Sequence, residues 1–138
     1  LFRAHYLVAN SFDFEKYKGF VYNVSNHDDV NGAFLVSDML VTDYSSVFFD
    51  YANLKRPEIF YMYDMEEYRD SLRGFYISTD ELPGPIVKNE AALVDAIKSA
   101  KTTPDAKYEA FVKKYDYKDD GHAAERVIEK LFFEDSRE

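Results

Sequence analysis

Apolar positions along this chain fall in short runs separated by polar turns, and their spacing changes from run to run. Ala4-His5-Tyr6-Leu7-Val8 reads as a short buried strand leading into Ala9-Asn10-Ser11. The run from Gly19 to Val24 predicts a second strand. Asp28 or Asp29 caps a short helix through about Val36, with Ala33, Phe34 and Val36 facing inward. Met39 to Thr42 is continuous rather than alternating, as buried parallel strands are. Ser45 or Ser46 then caps a helix to about Leu54, Pro57 ends that pattern, and Glu58 to Tyr61 is the next strand.

Asp64 to Leu72 predicts a short charged helix, Gly74 to Thr79 a strand-like segment, and Leu82-Pro83-Gly84-Pro85 a rigid loop. From Glu90 to Ala100, Leu93, Ala96, Ile97 and Ala100 share one face of an amphipathic helix. Pro104 to Tyr115 and Ala123 to Phe133 predict the last two helices. Strands alternating with helices give an α/β fold, a Rossmann-like open parallel sheet flanked by helices. The chain shows no internal repeat, low-complexity tract or linker, so residues 1–138 are expected to form one domain.

Composition narrows the picture. At 138 residues, 46% hydrophobic and 17% aromatic, the chain has material for a real core. It has no cysteine, which excludes disulfides and thiolate metal sites and fits a reducing cytoplasm. A net charge of −9 argues against nonspecific nucleic-acid binding and against a polybasic membrane patch. No apolar run approaches the roughly 20 residues of a membrane span. The opening residues lack a signal peptide's long apolar stretch. The chain begins at Leu1 without an initiator Met and enters a strand-like run at once, as expected of a piece of a larger protein.

The candidate chemistry gathers where the Met39–Thr42 run gives way to a helix, at Asp43-Tyr44-Ser45-Ser46. In open α/β sheets ligands bind beyond the carboxyl ends of the strands. Unpaired N–H groups at a helix start, with two small hydroxyl donors, suit a phosphate. Asp50 lies four residues after Ser46, on the same helix face and about 6 Å away. That spacing lets the serines take a diphosphate while the carboxylate accepts from a ribose hydroxyl. The same residues equally describe an ordinary serine N-cap followed by a solvent-facing acid. There is no glycine-rich loop and no Gly-Lys-Ser ending, so neither a P-loop nor a dinucleotide fingerprint is present.

Other candidates carry similar pairs of readings. His5 can exchange protons or hold a phosphate near neutral pH, or sit buried on a backbone partner. Arg3 offers a planar fork for a phosphate, or a solvent-facing strand position. Arg73, before Gly74, is a second cation for a ligand or a salt-bridge partner of Glu66, Glu67 or Asp70. Asp43 orients the serine turn by accepting local N–H bonds. His27-Asp28-Asp29 are adjacent and hard to converge on one ion, so they read as a helix start rather than a metal site. His122 reads as another helix entry. Phe48, Phe49 and Tyr51 read as core rather than as a base-stacking platform, although an exposed tyrosine can stack on cytosine.

Taken together, "SDMLVTDYSSVFFDYANLKRPEIFYMYD" (37–64), "RGFY" (73–76), "LPGP" (82–85) and the opening "LFRAHYLVAN" closely resemble the C-terminal half of the CDP-glycerol glycerophosphotransferases of teichoic acid synthesis. The resemblance runs from Leu1 to about Ala100, with several motifs in order. It implies the C-terminal, donor-binding half of a two-lobed GT-B architecture. Ser45 and Ser46 match the serine pair that holds the donor phosphates, and Asp50 the acid at the nucleoside end. Arg3 and His5 match an Arg-x-His that approaches the pyrophosphate, and Arg73 is carried as a further substrate contact.

The implied reaction moves glycerol phosphate from CDP-glycerol to the terminal hydroxyl of a polyol-phosphate acceptor and releases CMP, with no cofactor and no metal. Related members use CDP-ribitol. The family's His-Gly-Thr-Pro motif, in the other half, is absent from this chain. The remaining partners implied are that N-terminal half and, through parts outside this chain, peripheral contact with the inner face of the cell membrane. Two other readings stand beside this one: a different nucleotide-sugar transferase of the same architecture, and a receiver-like α/β binding module. The latter lacks an evident lysine after a late strand.

Overall fold

A computed structural model of the chain describes residues 1–4, 12–67 and 77–134. By their contacts they fall into two compact units, Leu1–Asp38 and Met39–Glu138.

The second unit contains a sheet of three parallel strands in the order β1-β2-β3: β1 Leu40–Thr42, β2 Glu58–Tyr61 and β3 Ile86–Val87. Leu40 pairs with Glu58, and Phe60 with Ile86. Helix α2, Val47–Ala52, is the crossover from β1 to β2. A parallel pair needs such a crossover, and a helix supplies it while covering the sheet. This is the α/β fold with a parallel sheet that the alternation of runs predicts.

The helix ends sooner than the pattern suggests, because Asn53 to Lys55 turn out of it and Lys55 takes a positive φ of 52°. β3 is the element the sequence reading missed. It has only two residues directly after Pro85, too few to show a period. The Gly74–Thr79 expectation lies largely outside the described residues; within them Ile77 is a bend, and Thr79–Glu81 form a 3₁₀ turn capped by Ser78. The Asp64–Leu72 helix is described as α3, Met65–Glu67.

The core of this unit joins Phe48 and Ala52 from α2, Phe60 and Met62 from β2 and its exit, Leu82, and Tyr108 and Phe111 from α5, Ala106–Tyr115. Phe48, Phe49 and Tyr51 are core residues: Phe49 stacks on Phe111 with centroids 5.4 Å apart, and Tyr51 is fully buried. Helix α4, Glu90–Ser99, is capped by Asn89, whose side chain accepts the Ala92 N–H at 2.9 Å. Asp105 caps α5 in the same way through the Tyr108 N–H. Helix α6, Ala123–Glu129, runs on into a π turn, Lys130–Glu134, with Val127, Ile128, Leu131 and Phe132 exposed. None of the described helices is long and apolar enough to cross a membrane.

In the first unit, Asp29 caps α1, Val30–Leu35, by accepting from the Asn31 and Gly32 N–H groups. The expected strand from Gly19 to Val24 is a correction. Among the described residues, Asn23 alone of this run makes a bridge, to Phe2, while Gly19 takes a positive φ of 84° and Phe20 and Tyr22 stay exposed. The other strand expected in this unit, Ala4 to Val8, lies outside the described residues beyond Ala4. Phe2, Phe12, Phe14 and Tyr17 instead form a small aromatic cluster.

Candidate functional site

The carboxyl ends of the three strands carry Asp43 to Ser46, Met62 to Asp64, and Lys88 with Asn89. The serine turn is therefore at the edge where ligands of open α/β sheets bind. Its local bonds are few. Asp43 Oδ1 accepts from the Ser45 N–H at 3.1 Å, and Ser45 Oγ lies 3.5 Å from the Val47 nitrogen. Ser46 occupies the N-cap, but its hydroxyl makes no capping bond. Both serines are exposed. The cap expectation is thus met in position and not in bonding, which leaves two hydroxyls facing water. Since α2 has six residues, its dipole contributes little, and an anion here would rely mainly on hydroxyl and N–H donors.

Asp50 is exposed in the first turn of α2. Its charge reaches Asp116 at the end of α5. Burial pushes the Asp116 carboxyl up to about 6, with Asp119 and then Asp50 adding repulsion. Asp116 is 6% exposed, and its Oδ2 has no hydrogen-bond partner. Asn53 donates to Asp119 at 3.2 Å. The nucleoside-end acid of the sequence reading therefore borders a cluster of acids that pattern reasoning did not connect.

The turn is also tied to the next strand's exit. The Tyr44 hydroxyl donates to Asp64 Oδ1 at 2.6 Å. Burial, and then the Asp64 bond and charge, hold the Tyr44 phenol well above its ordinary pKa, so it stays a donor. Tyr63 beside it is 67% exposed. Lys88 is a cation on this edge, 3.7 Å from Glu66 in an open ion pair.

Arg3 belongs to the first unit. Its Nη1 donates to the carbonyls of Val24 at 3.2 Å and His27 at 2.5 Å, holding two loop segments together. Arg3 is nevertheless exposed, as the solvent-facing reading expects. His5 and Arg73 lie outside the described residues. His27 Nδ1 lies 3.2 Å from the Asp29 carbonyl, a helix-start contact. His122 holds the N-cap position of α6 and pairs with Glu125 at 2.9 Å. Among the described residues no group of three or more acids and histidines is arranged to hold a metal ion.

At the opposite, amino edge of the sheet is a hollow of about 240 Å³, lined by Lys55 to Ile59, Pro83 to Pro85 and residues from Ala96 to Tyr108. Glu58, 2% exposed, lies in its wall. Burial pushes its carboxyl up to about 8, against the pull of its Tyr108 bond. Pattern reasoning takes Glu58 for an ordinary strand start and gives no sign of this buried acid.

The family model described as CDP-Glycerol:Poly(glycerophosphate) glycerophosphotransferase matches residues 1–133. The chain belongs to this family. Within it, the chain is 47% identical over 136 residues to the teichoic acid glycerol-phosphate transferase of Staphylococcus aureus, covering 96% of this chain and 34% of that protein. It is 45% identical over 137 residues to the teichoic acid poly(glycerol phosphate) polymerase of Bacillus subtilis, covering 96% of this chain and 18% of that one. Among solved structures it matches the wall teichoic acid polymerase TagF with a TM-score of 0.80 and 41% identity, over 91% of this chain and 31% of that one. A histidine variant of TagF soaked with CDPG matches equally well. The chain therefore spans between 18% and 34% of the length of these relatives.

Proposed function

We propose that this chain is the donor-binding domain of a CDP-glycerol glycerophosphotransferase, the C-terminal half of a GT-B enzyme. The observation that carries the reading is the Ser45-Ser46 turn, with both hydroxyls exposed at the carboxyl edge of the sheet, in a chain that the family model matches from end to end of the fold. In the reaction, the terminal hydroxyl of a poly(glycerol phosphate) chain or primer attacks the phosphorus that bears glycerol. The bond from that phosphorus to the CMP oxygen breaks, CMP leaves, and the hydroxyl proton passes to a base.

Ser45 and Ser46 hold the donor phosphates and Asp50 accepts from the ribose. Asp43, Asp50 and Asp64 make this edge acidic, so a diphosphate needs cations beside it. Arg3, His5 and Arg73 are the candidates in this chain, His5 as base or phosphate ligand. The N-terminal half of the same enzyme supplies the acceptor site and the peripheral contact with the inner face of the membrane. Glycerol is favoured over ribitol as the polyol, because the glycerol-phosphate relatives are 41–47% identical and the ribitol-phosphate ones 35–37%.

Calorimetric titration with CDP-glycerol, with CMP and UDP-glucose in parallel, tests this. Selective CDP-glycerol binding is expected, weakened at least about tenfold in Ser45→Ala/Ser46→Ala and in Asp50→Ala, since each loses hydrogen bonds to charged or buried groups. Preference for UDP-glucose would move the domain to another nucleotide-sugar transferase.

A further inference from the structure

The middle residue of the serine turn has two anchors. The Tyr44 ring packs against the core that Phe48, Phe60 and Met62 share. Its hydroxyl reaches out of that core to Asp64 Oδ1 at 2.6 Å, within the short range of charge-assisted O–H···O⁻ bonds. Its neighbours on either side, Asp43 and Ser45, make the turn's own bond. That local bonding is thin, because Ser46 contributes no cap and the Ser45 contact to Val47 is long at 3.5 Å. A turn so lightly held by itself takes its position from whatever fixes its central residue. We infer that the Tyr44–Asp64 hydrogen bond is a latch between the exits of β1 and β2 that sets where Ser45 and Ser46 present their donors.

Tyr44 and Asp64 are then positioning residues, and their role in donor binding rests on the reading proposed above. The phenol keeps its proton across the accessible pH range, held by burial and by Asp64, Asp43 and the Tyr63 hydroxyl, so the latch does not open on deprotonation. The latch needs an acceptor oxygen at position 64, which an asparagine can also supply.

The variants separate these contributions. Tyr44→Phe keeps the ring in the core and removes the hydroxyl. Asp64→Ala removes the acceptor. Asp64→Asn keeps an oxygen in place. Backbone ¹⁵N relaxation on the 138-residue chain reads the turn directly, without a ligand. Tyr44→Phe and Asp64→Ala are expected to lower the Ser45 and Ser46 order parameters from about 0.85 to below about 0.6 and to leave Ile59 and Phe60 unchanged. Asp64→Asn is expected to keep the parent values. CDP-glycerol affinity should fall about tenfold in either disruptive variant and no further in the double variant, as two halves of one interaction behave.

Unchanged Ser45 and Ser46 order parameters in Tyr44→Phe and Asp64→Ala would overturn the latch. So would an equal loss of order at Ile59 and Phe60, which marks general loosening. If the parent chain binds no nucleotide while the order parameters respond as expected, the latch stands and the donor reading fails.

Discussion

The Tyr108 hydroxyl has one hydrogen and two acceptors in reach, the Arg56 carbonyl and Glu58 Oε1, each at 2.9 Å. An ionised Glu58 would compete with the Arg56 carbonyl for that one proton. A neutral Glu58 resolves the count: its O–H donates to the Tyr108 oxygen, and Tyr108 donates to Arg56. The carboxyl pushed up to about 8 agrees with this. Removing the hydroxyl in Tyr108→Phe takes away the partner of the buried Glu58 Oε1. Urea unfolding should show a loss of about 1–3 kcal/mol, the usual cost of unpaired buried polar groups. A loss under about 0.5 kcal/mol would mean that the pair contributes nothing beyond the ring. The sequence could not announce this. A glutamate that opens a strand looks like any exposed strand end until the packing of α5 over it is known. The place of the serine pair and Asp50 at a helix start was legible, because small hydroxyls between a strand and a helix mark a cap. Tyr44 and Asp64, 20 residues apart, were not.

At the scale of elements, the alternation of runs gave β1, α2, β2, α4 and α5, and the caps at Asp29, Asn89 and Asp105 stand where a polar residue precedes an amphipathic stretch. The strand expected at Gly19–Val24 shrinks to the Asn23–Phe2 bridge, because the turn at Gly19, with its positive φ, takes the start of the run out of extended backbone. β3 was invisible because two residues have no period, and it exists through the loop before it. Leu82 to Pro85 passes so close to β2 that a Cβ on Gly84 would come within 1.8 Å of the Glu58 carbonyl oxygen. The same loop brings the Pro85 carbonyl to the Phe60 N–H at 2.9 Å, the bond that starts β3 pairing. Gly84→Ala must push the loop off the strand. An expected loss of about 2–3 kcal/mol, as for overpacked cores, can be read from the urea midpoint. Asp105→Ala removes only the α5 cap and should cost about 1 kcal/mol in the same assay. If the two variants lost equal stability, the close approach at Gly84 would not be a constraint of the fold.

For the whole molecule, the acidic balance and the buried acids act in the same direction. The native state keeps protons on Glu58 and Asp116 that the unfolded chain releases, between 4.5 and about 8 for Glu58 and between 3.8 and about 6 for Asp116. Where the native state binds more protons than the unfolded one, stability falls as pH rises. The contribution is whole below each lower value and lost as pH climbs through the upper one. A net charge of −9 at pH 7 adds self-repulsion that also eases on acidification. Glu81, held low by Lys114 and Tyr115, and Asp120, held low by Arg126, work the other way, but only once pH drops into the ordinary carboxylate range. The balance puts maximum stability near about pH 5, on the acid side of neutrality. Unfolding free energy measured by urea should decline from there to about pH 8, with Glu58 contributing a slope of up to about 1.4 kcal/mol per pH unit. In Glu58→Gln, whose amide cannot titrate and still donates to Tyr108, the decline between about pH 6 and pH 8 should flatten. A parent whose stability rises across that interval would carry an ionised Glu58, and the proton count around Tyr108 would have to be drawn differently.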